Sequence, residues 1–316
     1  MRAYIHPDKS QLSCSPTPAS FPTGFESRSR LSVTQGLNSI PDIWISPPAN
    51  TSSFGSSNPG IPHGRPTSSI GPTVRAKTFL LRRSLRATNS SISFIPPGGP
   101  GASSATGLLF ELGPCQIASE DGTVARNKYS WNAHSNILFL DQPVNVGWSY
   151  SDDGSRVSRS YPAGEDVYAF FQLFFSRFPE YAKAKFHMAA ESYGGTYAPN
   201  TATVFHRKNR ELEVDPVPGL TKINLASVIL ANGWTNPLEQ FSSIPDWICE
   251  GPYALFDPEG RECRNLRRSV PRCRRLVEAC YRFDSGITCA SAETYCSYAL
   301  ESLVSSASYL SPMRDF

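Results

Sequence analysis

Apolar positions are sparse and aperiodic over the first 95 residues and become patterned after them. From about residue 93, turn signals separate short regular segments. Ile137 to Leu140, between Asn136 and Asp141, is an unbroken apolar run ended by Pro143, the pattern of a strand buried on both faces. Val167, Phe170, Phe171, Phe174, Phe175 and Phe178 recur at helical spacing, which predicts one face of an amphipathic helix stopped by Pro179. Phe186 to Ala190 predicts the next strand and Leu225 to Ala231 another. Strands alternating with helices predict an α/β domain with a largely parallel sheet. No internal repeat is visible.

Residues 1–95 hold 19 Ser and 11 Pro. Stretches such as Ser46-Pro47-Pro48-Ala49-Asn50-Thr51-Ser52-Ser53 bury too little surface to offset the entropy of ordering. This segment is expected to be disordered, or not to belong to the domain that follows at 96–316. It also carries the basic charge, 10 Lys and Arg against 3 Asp and Glu, whereas residues 96–316 carry 20 against 24. The net charge of +3 therefore says little about a partner of the globular part. No basic and aromatic residues interleave in a nucleic-acid module, so nucleic acid is not an expected partner. No run reaches the length of a membrane span, and Met1 to Pro18 has no signal-peptide core. Either the protein is not exported, or its true start lies elsewhere. Asn50 and Asn89 fit the glycosylation pattern.

Chemistry first enters at Ala190-Glu191-Ser192-Tyr193-Gly194-Gly195, after one predicted strand and before a predicted helix. A serine between small residues at such a turn is the nucleophile-elbow arrangement, with Ala190 standing where glycine is usual. The turn lifts the hydroxyl above the sheet edge and aims the helix N-terminus at a developing oxyanion. Upstream, Pro97-Gly98-Gly99-Pro100-Gly101-Ala102-Ser103-Ser104 lies where such hydrolases place the loop that completes the oxyanion hole. Its glycines let backbone N–H groups approach a substrate oxygen.

Several ordered blocks together resemble the serine carboxypeptidase family. They are Gly98-Gly99-Pro100-Gly101 with Phe110-Glu111-Leu112-Gly113-Pro114; Tyr129-Ser130-Trp131-Asn132 with Leu140 to Tyr150; Phe178-Pro179-Glu180-Tyr181 with Glu191 to Gly195; and Asn232-Gly233 with Thr235-Asn236-Pro237. They cover roughly residues 98–300. The resemblance implies an α/β-hydrolase fold, incomplete because its late strands are missing, with a disulfide-rich insertion over 246–300. Six of the eight cysteines fall in that insertion. None is spaced as in a zinc ribbon, so no metal is expected, and their density points to disulfides in an oxidising compartment. Six cysteines allow 15 connectivities. The family pattern implies Cys249–Cys263, Cys273–Cys296 and Cys280–Cys289. The arginines between Arg261 and Arg282 are expected to be a solvated face of the insertion.

Carried over residue by residue, the resemblance makes Ser192 the nucleophile and the backbone N–H groups of Gly99 and Tyr193 the oxyanion hole. Gly98, Glu191 and Glu111 would line the site for the peptide's terminal carboxylate. Carboxyls facing a carboxylate must share a proton, which favours binding at acid pH, as in a vacuole or lysosome. No cofactor is implied. The partners would be peptides or proteins with a free C-terminus. Three departures stand against this. Pro97 replaces an asparagine that donates to the substrate carboxylate. Ala102 replaces a family cysteine. The Asp and His of the relay belong beyond residue 316, so no general base for Ser192 is expected here. Only His206, of the five histidines, follows Ser192, about 21 Å along a helix if the intervening residues are helical. His187 is expected to face the sheet or core. The chain is thus expected to be a fragment or an imperfect gene model. Its function is expected to be serine-type carboxypeptidase activity through an acyl-enzyme. The alternatives are an inactive relative that binds peptides or a partner, and an acyltransferase. The expected location is the vacuole or the secretory pathway.

Overall fold

A computed structural model describes residues 2–5, 12–15, 43–45, 74–76, 78–81, 91–95, 98–133, 135–151, 154–252 and 254–303. Pro97, Asn50 and Asn89 lie outside these. Among the described residues the strands are β1 (Arg2–Ile5), β2 (Leu12–Ser15), β3 (Ile43–Ile45), β4 (Val74–Ala76), β5 (Thr78–Leu81), β6 (Ile92–Ile95), β7 (Cys115–Ile117), β8 (Val124–Arg126), β9 (Asn136–Leu140), β10 (Tyr150–Ser151), β11 (Phe186–Glu191) and β12 (Leu225–Ala231). The helices are α1 (Ser160–Arg177), α2 (Gly194–Val214), α3 (Pro237–Glu250), α4 (Arg261–Phe283) and α5 (Gly286–Cys296). The chain divides into two compact units between Gly233 and Trp234.

The first unit is built on a five-stranded sheet of order β12-β11-β6-β9-β5. β12, β11, β6 and β9 run parallel, and β5 closes one edge antiparallel to β9. This is the α/β sheet expected from the alternating pattern. Two of its strands, β5 and β6, lie upstream of residue 96, where composition set the boundary of the domain. Every residue of β9 is buried, as the unbroken apolar run predicts for a central parallel strand. β12 is the other edge of the sheet, and Val228, Ile229 and Leu230 on it are exposed.

The helix predicted from the phenylalanine spacing is α1, which ends at Arg177 before Pro179. Phe170, Phe171, Phe174 and Phe175 are buried against Phe94 of β6, Phe186 of β11 and Phe205 of α2. The Phe171 ring sits edge-on to Phe186 at 4.7 Å and to Phe94 at 5.3 Å. Rings in this arrangement gain quadrupole attraction beyond the area they remove from water. The layer clamps β11 from one side, so the strand delivers its C-terminal end, and Ser192 after it, to a fixed place.

The second unit consists of α3, α4 and α5, and begins at Trp234, upstream of residue 246. Its disulfides are Cys249–Cys263, Cys273–Cys296 and Cys280–Cys289, the pairing implied by the resemblance. They close loops of 14, 23 and 9 residues, worth on the order of 3 kcal/mol each in unfolded-chain entropy. Cys263, Leu266, Cys273 and Val277 form the buried stripe of α4 at steps of three, seven and four.

Candidate active site

β11 ends at Glu191, and α2 begins at Gly194, leaving two residues for the turn. Ser192 takes φ +56°, in the left-handed region that an L-residue enters at a cost of about 1–2 kcal/mol. Its own N–H donates to Ala231 O of β12 at 3.2 Å, while its carbonyl accepts from Gly195 N at 3.0 Å. The strained residue is thus pinned on both sides, and its side chain is left exposed. Ala190, Gly194 and Gly195 around it are buried. A side chain longer than alanine's at 190 would have to enter the packed layer, so the Ala190 departure satisfies the same steric demand as glycine.

The Gly98–Gly101 loop follows β6 and lies directly against this turn. A Cβ on Gly98 would stand 3.1 Å from Ser192 Cβ and 3.4 Å from Glu191 O. Gly99 has φ +115°, and a Cβ there would meet Ala102 N at 2.8 Å. Glycine at 98 lets the loop backbone come this close to the serine, and glycine at 99 lets the loop fold back on Ala102. No hydrogen bond from Gly99 N–H or Tyr193 N–H is found among the described residues. Tyr193 opens the N-terminal turn of α2, where unpaired N–H groups and the helix dipole favour negative charge.

A buried carboxylate that the sequence reading assigned no role holds the far side of the loop. Asp141 follows β9 and is only 2% exposed. Its Oδ1 accepts from Ser103 Oγ at 2.7 Å, Ser104 N at 2.8 Å and Ser104 Oγ at 3.1 Å. Its Oδ2 accepts from Trp148 N at 2.9 Å, and Ser149 Oγ donates to its carbonyl at 2.7 Å. Gly147, at φ +56°, packs onto the carboxylate so closely that a Cβ would lie 2.2 Å from Oδ2. The sequence marks Asp141 only as an acid set directly after the apolar run Ile137 to Leu140, which does not show what it bonds.

Glu111 ends a π-helical turn, Gly107–Glu111. The carbonyls of Glu111 and Gly113 both accept from Asn127 Nδ2 at 2.8 Å, and Leu112 O accepts from Ser130 Oγ at 3.1 Å. Burial, and after it the charge of Glu191, raise the Glu111 carboxyl above its ordinary range. The two acids are therefore close enough in space to feel each other, although 80 residues separate them in sequence. A Glu111 carboxyl raised in this way can keep its proton and offer it to an incoming anion.

No imidazole among the described residues reaches Ser192. His187 Nδ1 is hydrogen-bonded to Ser227 Oγ across β11 and β12 at 2.8 Å. His206 lies on the continuous helix α2, 14 residues beyond Ser192 and so about 21 Å along the axis. The Ser192 hydroxyl itself has no hydrogen-bond partner among the described residues. No group of three or more metal-ligating side chains is found among them either.

Comparison with known proteins bears on this site. The family model described as serine carboxypeptidase matches residues 97–311. Carboxypeptidase Y homolog A of Uncinocarpus reesii is 46% identical over 206 residues, and that of Ajellomyces dermatitidis 47% over the same length. In both cases the match covers 64% of this chain and 35% of the relative, so the chain spans about a third of those proteins. Among solved structures, Kex1(Δ)p, a prohormone-processing carboxypeptidase from Saccharomyces cerevisiae, superposes with a TM-score of 0.56 at 25% identity. That superposition covers 69% of this chain and 46% of the yeast one.

Proposed function

The chain belongs to the serine carboxypeptidase family, and from that premise we propose that it acts on peptides as a serine-type carboxypeptidase, removing C-terminal residues through an acyl-enzyme on Ser192. The observation that carries the reading is Ser192 in a left-handed turn between β11 and α2 with the Gly98 backbone against it. In the proposed reaction the Ser192 oxygen adds to the carbonyl carbon of the last peptide bond. The N–H groups of Gly99 and Tyr193 receive the oxyanion. The C–N bond then breaks, the C-terminal residue leaves with a proton, and water releases the acyl group. The proton acceptor for Ser192 is not one of the described histidines.

Gly98, Glu191 and Glu111 would meet the substrate's terminal carboxylate. The raised Glu111 carboxyl supports that role, because a protonated acid can donate to an anion that an ionised one would repel. Binding would accordingly weaken as pH rises past the Glu111 titration. Location in the vacuole or secretory pathway and N-glycosylation belong to the same reading; the three disulfides of the second unit, which persist in oxidising compartments, support the location.

The test is labelling with a fluorophosphonate probe, together with mass-spectrometric detection of residues released from a peptide C-terminus. Label on Ser192, lost in Ser192→Ala, and stepwise release are expected. Folded protein that takes no label would reject the acyl-enzyme. A second reading, a relative that binds peptides without cleaving them, is favoured by the distance of His187 and His206 from Ser192. It requires peptide binding with no turnover, and turnover abolished by Ser192→Ala excludes it.

A further inference from the structure

The arginines of α4 do not spread evenly round the helix. Arg261, Arg264, Arg268, Arg272 and Arg275 follow one another at steps of three, four, four and three, and all five are exposed. At 100° per residue they form one line on the side opposite Cys263, Leu266, Cys273 and Val277. Glu262 and Glu278, the two acids of α4, fall off this line. Over residues 234–316 eight of the nine basic residues lie on α4, and acidic residues outnumber basic ones, 11 against 9. The positive charge of this unit is therefore gathered on α4, with Arg267 and Arg274 turned off the line toward Glu250 and Glu239.

The stripe is only partly neutralised. Arg261 has Glu262 at 3.7 Å, Arg264 donates to Glu259 O, and Arg272 lies over the Tyr295 ring at 4.5 Å. Arg268 and Arg275 have no ion-pair or hydrogen-bond partner among the described residues. The stripe ends at a different kind of surface. In the last turn of α4 and the start of α5, Tyr281, Phe283 and Ile287 are 54%, 63% and 83% exposed, and Arg282 sits over the Phe283 ring. Three exposed apolar side chains at one turn are costly in water, and no polyanion alone accounts for them.

A basic line along one helix with an apolar tip matches an anionic surface that has an apolar layer beneath its charges. We propose that the outer face of α4 docks on an anionic lipid bilayer, with the arginines on headgroup phosphates or carboxylates and Phe283 and Ile287 dipping into the interface. Guanidinium groups suit this because each can bind such an oxyanion through two parallel N–H donors. The attraction would be electrostatic and salt-sensitive along the line, and apolar at the tip. An acidic peptide would use the same charges, but it would leave the tip unexplained.

The test is cosedimentation of the full chain with vesicles of phosphatidylcholine alone or with phosphatidylserine added. Binding is expected only to the anionic vesicles, and to fall with added salt. Arg268→Gln/Arg272→Gln/Arg275→Gln should weaken it on the order of 100-fold. The matching triple lysine variant should retain most of it, which separates loss of charge from misfolding. Phe283→Ser/Ile287→Ser should weaken it by a factor that high salt does not erase. No binding to anionic vesicles, or binding unchanged in the glutamine variant, overturns the proposal. So does binding to poly-glutamate or RNA that persists in the serine variant while vesicles are ignored.

Discussion

Replacing Asp141 by asparagine changes one oxygen into an NH2 and leaves the shape of a buried site almost intact. In the best orientation the amide oxygen keeps the three donors from Ser103 and Ser104, at 2.7, 2.8 and 3.1 Å. The new NH2 must then face Trp148 N–H, which now donates to Oδ2 at 2.9 Å. Flipping the amide merely moves that clash to the Ser104 N–H, since the two serine hydroxyls can turn to accept. One hydrogen bond to a charged group is lost, worth about 1.5–3 kcal/mol, and two donors are left opposed at a residue only 2% exposed. Relief of the buried charge offsets part of this, so a net loss of about 2–3 kcal/mol is expected. Urea unfolding of Asp141→Asn, Ser103→Ala and the double variant measures it. Because the sites touch, the two losses should fail to add, with a coupling of about 1 kcal/mol. An asparagine variant within 0.5 kcal/mol of the parent, or strict additivity, would falsify the idea that this carboxylate bolts the loop to β9.

Four further outcomes follow from the geometry. Ser192→Gly should be about 1 kcal/mol more stable than Ser192→Ala in urea, because glycine relieves the φ +56° turn; equal stabilities would deny the strain. Phe171→Ala, at a fully buried ring, should cost about 3–5 kcal/mol and lower the thermal midpoint. Burial, and then the charge of Glu165, push Asp166 up to about 6 from 3.8, so its folding contribution is present below pH 3.8 and lost as pH rises through 6. Asp166→Asn should therefore stabilise the protein at pH 7 by about 2 kcal/mol and not at pH 3, as paired urea melts would report. Glu191→Gln should shift the Glu111 titration downward in a carbon-13 NMR experiment, and an unmoved Glu111 would mean the two carboxyls are not coupled.

Much of the sheet could be read from local pattern. The run Ile137 to Leu140 is β9, Leu225 to Ala231 is β12, and the phenylalanine spacing is α1, because each is long or apolar enough for its periodicity to dominate. β5 and β6 escaped because each is four residues long inside a Ser/Pro-rich context, and only pairing with β9, and for β6 also with β11, makes them strands. The strand-to-helix turn at Ser192 was legible because small residues on both sides are a local steric requirement. Asp141 was not, since its serine partners lie 37 and 38 residues away and its burial is a tertiary fact. Nor could spacing reveal that Glu111 and Glu191 lie close enough to interact, although it did mark the arginines of α4 as a solvated face.

The turn between α4 and α5 is crossed twice by the chain's covalent structure. Asp284 carries the backbone through it at φ +44°, and Cys280–Cys289 spans it a few residues outside. A protease that cut this exposed tip would break the peptide thread without separating its ends. Outside that crossing, Cys273–Cys296 repeats the tie. The nicked and intact forms should then co-migrate on an electrophoresis gel until a reductant is added. A preparation could lose this hairpin's continuity and still look whole by size.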